Sequence, residues 1–255
     1  MIQAGHFIQA GALRTYYEEY GNGPPLVLLH GDGFTLENFT NQVPAFSKQF
    51  RVLLPERRGH GRTQDLPGDY TYELFAEDTI AFLDALGVKE ATLLGESGGA
   101  DIALLVAIER PDLVCALIVI SGESRIEVPP DRKMAIRSRT VDDLRKVASL
   151  VVDSYERVTP DGRARFPAIF EKLKGLWTTD WEVPDARLRS LAVPTLIMVA
   201  DHDFGSVEDA AALSRKIPNA ELCVVPGTTH GLLLQRPELA NAAIQDFLAR
   251  RIRAF

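Results

Sequence analysis

The sequence predicts an α/β protein built on a doubly wound, mostly parallel sheet, and three observations carry that expectation. Apolar runs at 26–29, 51–55, 91–94, 114–120 and 193–200 have the continuous hydrophobic character of strands covered on both faces. Stretches of helical period lie between them, so that strand and helix alternate along the chain. Three of the loops that follow strands carry a serine, an aspartate and a histidine, and parallel strands bring such loops to one edge of a sheet.

Size and charge limit the alternatives. A chain of 255 residues fits one large α/β domain, or one domain with an inserted lobe. Its 46% hydrophobic residues are ample for a core, and 25% charged residues are ordinary for a globular protein. The formal charge of -7 argues against a nucleic-acid partner. Glu56-Arg57-Arg58 is interrupted by an acid, and Arg250-Arg251-Ile252-Arg253 reads as a helix C-terminus, where cations suit the dipole. No segment reaches the roughly 18 apolar residues needed to span a bilayer, so no membrane partner is expected. The start, Met1-Ile2-Gln3-Ala4-Gly5-His6, lacks the basic and apolar regions of a signal peptide, and a cytoplasmic location is expected. Cys115 and Cys223 lie in apolar runs without C-x-x-C spacing, which points to buried structural thiols.

In order, 7–10 and 13–18 read as a hairpin turned at Gly11. The strand at 26–29 runs into His30-Gly31-Asp32-Gly33-Phe34, a glycine-rich loop whose backbone can approach a ligand; the Asp32 N–H is a candidate oxyanion donor. A helix over 36–46 leads to the strand at 51–55 and the polar loop from Glu56 to Thr63. His60 in that loop reads as structural, since nothing nearby in sequence orients it. Thr71 is an N-cap for a helix carrying Leu74, Ile80, Phe82, Leu83 and Leu86 and stopped by Gly87. A strand then ends in Gly95-Glu96-Ser97-Gly98-Gly99, and helix-period residues follow at once. That context suits a nucleophile elbow: the glycines allow close packing, and Ser97 sits strained at the turn.

After the strand at 114–120 the composition changes. Residues 123–190 hold charged helical stretches, at 131–155 and 163–176, and read as a helical lid inserted into a core of 1–122 and 191–255. Phe34, Glu96, Glu123, Phe166, Phe170, Trp177 and Trp181 are pocket candidates. The acids near the site, Asp32, Glu37 and Glu96, either favour cationic substrates or bind loop backbone and solvent. The sheet resumes at 193–200 and ends in Asp201-His202-Asp203-Phe204-Gly205; a helix at 207–216, a strand at 221–225 and Pro226-Gly227-Thr228-Thr229-His230 follow. A helix from Pro237 to about 253 closes the chain.

A serine is a weak nucleophile until a histidine, oriented by a carboxylate, accepts its proton. The order Ser97, Asp203, His230 is the one associated with α/β hydrolases, and the sequence resembles that family over almost its whole length. Leu28-Leu29-His30-Gly31 resembles its oxyanion loop. The segment Pro55-Glu56-Arg57-Arg58-Gly59-His60-Gly61-Arg62-Thr63 resembles P-D-x-R-G-H-G-x-S, with Glu56 and Thr63 departing. The elbow, the strand leading to Asp203, and the histidine loop followed by Arg236-Pro237-Glu238 match as well. The resemblance implies an α/β hydrolase fold: an eight-stranded, mostly parallel sheet flanked by helices, with the inserted helical lid. It further implies Ser97 as nucleophile, His230 as base, Asp203 as acid, and the N–H groups of Asp32 and Gly98 as oxyanion hole. Asp201 and Glu123 are alternative acids.

The activity implied is hydrolysis of a carboxylic ester or lactone through acyl-Ser97, with no metal and no cofactor, by a monomer or homodimer acting on a small molecule. A serine at the elbow argues against dehalogenase and epoxide hydrolase chemistry, which use aspartate there. The alternatives are a ligand-binding receptor on the same fold with little turnover, or other triad chemistry: carbon–carbon bond hydrolysis, perhydrolysis or hydroxynitrile lysis.

Overall fold

A computed structural model describes residues 5–251. Eight strands form one sheet: β1 His6–Ala10, β2 Leu13–Tyr20, β3 Pro25–Leu29, β4 Arg51–Pro55, β5 Ala91–Glu96, β6 Val114–Ile120, β7 Thr195–His202 and β8 Ala220–Thr229. Their spatial order is β1-β2-β4-β3-β5-β6-β7-β8. The β1/β2 hairpin and the β2/β4 pair are antiparallel, and all other pairs are parallel. This is the α/β hydrolase arrangement expected from the sequence.

Alternation along each strand divides the core into two. Val27, Leu29, Leu53, Leu93, Leu117, Val119, Ile197 and Val199 face one side, with residues of the helices Tyr72–Ala85, Gly98–Glu109 and Val207–Lys216. Leu26, Leu28, Val52, Leu54, Leu94, Ile118, Ile120 and Met198 face the other, with the helix Pro237–Arg251. The register aligns the strand ends, with Leu29 opposite Gly95, Glu96 opposite Ile120, and Ile120 opposite Met198. The ladder continues past the strands, as Ser97 N–H donates to the Ile120 carbonyl and Ser121 N–H to that of Met198, each at 2.8 Å.

Between β6 and β7 the chain forms the helices Pro130–Arg137, Val141–Val147, Ser149–Val158 and Gly162–Trp177. A two-residue antiparallel ladder pairs Ile126 with Trp181 and Arg125 with Glu182. The apolar residues Val152, Tyr155, Phe166, Ile169, Phe170 and Leu173 merge with the first core cluster.

Several elements differ from expectation. The helix expected at 131–155 is three helices, because Thr140 and Asp143 form a reciprocal capping box that starts a new helix inside the amphipathic stretch. The helix expected at 36–46 is a 3-10 turn, Leu36–Phe39, and a short helix, Val43–Phe46. Buried Gln42 stands between them, bonded to the Leu233 carbonyl and to Asn241. Cys115 and Cys223 are half-buried free thiols rather than buried ones. The last helix is described to Arg251; its expected extension to 253 and the reading of the first four residues lie outside the described residues. No helix among the described residues is long and apolar enough to cross a membrane.

Candidate active site

Ser97 occupies the turn between β5 and the helix Gly98–Glu109, at φ 54° and ψ -130°. A non-glycine residue there carries strain, which persists only where its surroundings hold it. They do so by contact: a Cβ on Gly95 would stand 2.1 Å from the Gly99 carbonyl oxygen, and one on Gly99 would stand 2.1 Å from that of Leu29. Only glycine permits strand, elbow and β3 to approach this closely. The Ser97 hydroxyl makes no capping bond to its own helix.

Asp203 and His230 meet at the neighbouring strand ends. His230 Nδ1–H donates to Asp203 Oδ1 at 2.6 Å, with the carboxylate 1% and the imidazole 23% exposed. Asp203 Oδ2 accepts from the Ser121 hydroxyl at 2.5 Å, and Oδ1 from Phe204 N–H at 2.7 Å. Ser121 itself sits at a positive φ of 53°. Sequence reading missed this residue; a small polar side chain directly after a buried strand was its only signal.

Neither alternative acid is hydrogen-bonded to His230 among the described residues. Asp201 accepts from the N–H groups of Gly227 and Thr228 at 2.8 and 2.9 Å, and so pins the loop that delivers His230. Glu123 follows β6 with its own N–H bonded to Asp101 at 2.8 Å. Among the described residues Asp203 is the acid hydrogen-bonded to His230. Burial alone would lower the His230 pKa, but the Asp203 bond and charge, with Glu96 and Glu123 behind them, outweigh it and leave the value raised. Burial would raise that of Asp203, and the bonds from His230 and Ser121 bring it below the usual range.

Two other histidines hold the opposite wall. His60 Nε2 accepts from Gly33 N–H at 3.0 Å while its Nδ1 faces the Arg58 carbonyl at 2.8 Å. His30 Nε2 accepts from Arg57 N–H at 3.2 Å. Burial lowers both, His60 to about 3, so each is a neutral acceptor that locks one loop to the next. His60 is structural as expected, but the expectation that nothing orients it is corrected: the Arg58 carbonyl does.

The acids expected to face solvent or substrate are occupied. Asp32 Oδ1 accepts from Arg57 at 2.9 Å, and Oδ2 from the Trp177 indole N–H at 2.9 Å. Glu37 accepts from Ser154 and Arg157. Asn38 donates to Glu96, whose carboxyl burial pushes up to about 8. Burial likewise raises Asp101 and Glu123. Pairing with Arg57 and Arg157 thus offsets the negative charge that a reading of Asp32 and Glu37 along the sequence assigns to the site.

The remaining pocket candidates divide. Phe34 is half-buried beside Gly31, with Cδ2 3.4 Å from where a Cβ on that glycine would stand. Phe166 and Phe170 are 0% and 1% exposed and stack 6.0 Å apart, so their faces are already spent on packing. Trp181 lies against Tyr72 and donates to Glu73 at 2.8 Å. Phe204, 83% exposed, covers one side of the His230 ring at 4.6 Å. A groove of about 850 Å³ lies elsewhere, between Tyr20, Glu37, Phe39 and Arg62, and includes none of these pocket candidates.

Comparison with known proteins gives a family and a spread of activities. The profile of the alpha/beta hydrolase family matches residues 26–243. An (E)-2-((N-methylformamido)methylene)succinate hydrolase from Acinetobacter baylyi is 26% identical, covering 91% of this chain and 93% of its own. A 2-hydroxymuconate semialdehyde hydrolase from Pseudomonas sp. strain CF600 is also 26% identical, covering 97% and 94%. Among solved structures, a thermophilic esterase from Thermogutta terrifontis superimposes with a TM-score of 0.82 at 23% identity, over 98% of this chain and all of that one.

Proposed function

Because the chain belongs to the α/β hydrolase family and is a hydrolase of it, we propose that it cleaves a carboxylic ester or lactone through an acyl intermediate on Ser97. The observation that carries this reading is the buried Asp203–His230 bond at the sheet edge where the strained Ser97 turn also ends. In this reading His230 Nε2 takes the Ser97 proton as Oγ attacks the carbonyl carbon, and returns it to the leaving alkoxide. Asp203 holds the imidazole by its Nδ1–H, and Ser121 holds Asp203. The N–H groups of Gly98 and Asp32 stabilise the oxyanion, and water activated by the same histidine releases the acid. Residues 123–190 act as the lid over a core of 1–122 and 191–255, and the protein works as a cytoplasmic enzyme on a small molecule. The spread of relatives by name supports hydrolysis more firmly than it supports any one substrate.

Turnover is measured by proton release from wild type and Ser97→Ala on short p-nitrophenyl esters, aliphatic lactones and an aminoacyl ester. The expected outcome is a loss of about a thousandfold or more in the variant; turnover retained by Ser97→Ala overturns the reading. The pH dependence has a definite sign. Neutral imidazole is the base, so kcat/KM rises through a value above 6.5, the raised pKa of His230. The same raised pKa adds stability that is complete below 6.5 and lost as pH rises through the folded value, so stability falls over the range where activity rises.

A further inference from the structure

The carboxylate of Asp32 lies where a negative charge is least welcome. A Cβ on Gly98 would stand 2.3 Å from Asp32 Oδ1, so the carboxylate presses against the residue after Ser97, beside the proposed oxyanion hole. Left bare, that charge would oppose the one that develops on the substrate oxygen. It is instead held by three donors. Arg57 binds Oδ1 at 2.9 Å, with the two side chains only 3% and 7% exposed; Tyr72 reaches Oδ2 at 3.4 Å. The third donor, the Trp177 indole N–H at 2.9 Å, comes from the last turn of the inserted helix Gly162–Trp177.

We infer that Trp177 is a positioning residue for the oxyanion hole: its N–H fixes the Asp32 side chain, and through it the direction of the Asp32 backbone N–H. The inference rests on the acyl-Ser97 reading, in which that N–H is an oxyanion donor. Docking of the insertion and completion of the hole are then one event, because a single hydrogen bond belongs to both. The other anchors of the insertion, such as Tyr155 OH on the Gly59 carbonyl at 2.6 Å, bind it to the core without touching Asp32.

The test compares Trp177→Phe, which keeps an aromatic ring and removes the donor, with Tyr155→Phe, which removes an anchor elsewhere. The probe is an alkyl trifluoromethyl ketone. Ser97 Oγ adds to its carbonyl carbon, the hydroxyl proton passes to His230, and the former carbonyl oxygen carries the negative charge into the hole. Removing an oxyanion donor costs about a hundredfold or more in kcat, and misdirecting one is expected to cost about tenfold. Trp177→Phe should therefore weaken ketone binding and lower kcat about tenfold together, with KM within about twofold of wild type. Tyr155→Phe should leave the ratio of ketone affinity to KM unchanged. Equal losses in both variants, or a Trp177→Phe enzyme that binds the ketone as wild type does, overturn the inference. Wild type that binds the ketone no better than Ser97→Ala overturns the acyl-serine reading itself, a result distinct from either.

Discussion

The Asp203–His230 half of the proposed site is fixed mostly through backbone N–H groups: Asp203 by Phe204 N–H with the Ser121 hydroxyl, the His230 loop by Gly227 and Thr228 N–H on Asp201. The Asp32 half of the proposed site is fixed by side chains alone, those of Arg57, Tyr72 and Trp177. Backbone donors come with the strand ends and persist through most substitutions. A buried ion pair does not, because each partner depends on the other for its solvation. One half is therefore robust, while the other depends on Trp177 of the segment between β6 and β7 being in place.

The largest effect expected is on the robust half, at Asp203. Asp203→Asn should lower kcat by about 10⁴, the scale on which loss of the orienting carboxylate acts in such triads. Asp201→Asn and Glu123→Gln should each cost less than about tenfold. Steady-state kinetics on the preferred ester decides: activity that survives Asp203→Asn and vanishes in Glu123→Gln moves the acid to the end of β6.

Next comes the conditional half. Arg57→Met leaves the Asp32 carboxylate buried without its counter-charge and should destabilise the fold by about 3 kcal/mol, read from urea unfolding. Adding Asp32→Asn should recover more than half of that loss. If the single variant is as stable as wild type, the pair is not what holds this wall.

The smallest effect separates catalysis from stability. Ser121→Gly removes the hydroxyl on Asp203 and also relieves a backbone at φ 53°, so stability should hold or rise by up to about 1 kcal/mol. Activity should nonetheless fall about tenfold, the worth of one hydrogen bond to a charged group. The acid limb of kcat/KM should shift to higher pH, since Asp203 without that bond holds the imidazolium more tightly. An unchanged pH profile would make Ser121 a bystander.

The sheet was legible because a strand covered on both faces must be apolar throughout, as at 114–120, and because a turn as tight as Gly95–Gly99 needs its glycines in place. The placing of Ser97, Asp203 and His230 at strand ends was legible for a similar reason: strand ends are places the chain itself marks. Its pattern alone did not mark where the insertion would break into separate helices, since amphipathic period runs through 131–155 while the stop is a local capping box at Thr140. Nor did it mark the fate of the acids. Asp32 and Glu96 read alike as charges, and their surroundings decide that one is paired with a buried arginine while burial pushes the other up to about 8. The sequence by itself determined the strands, the elbow and the residues brought to the sheet edge, because local pattern and backbone geometry require them. Tertiary structure alone decided the partners of Asp32, the roles of Ser121, His30 and His60, and the link from Trp177 to the site, because solvation and hydrogen bonding depend on neighbours that sequence distance does not reveal.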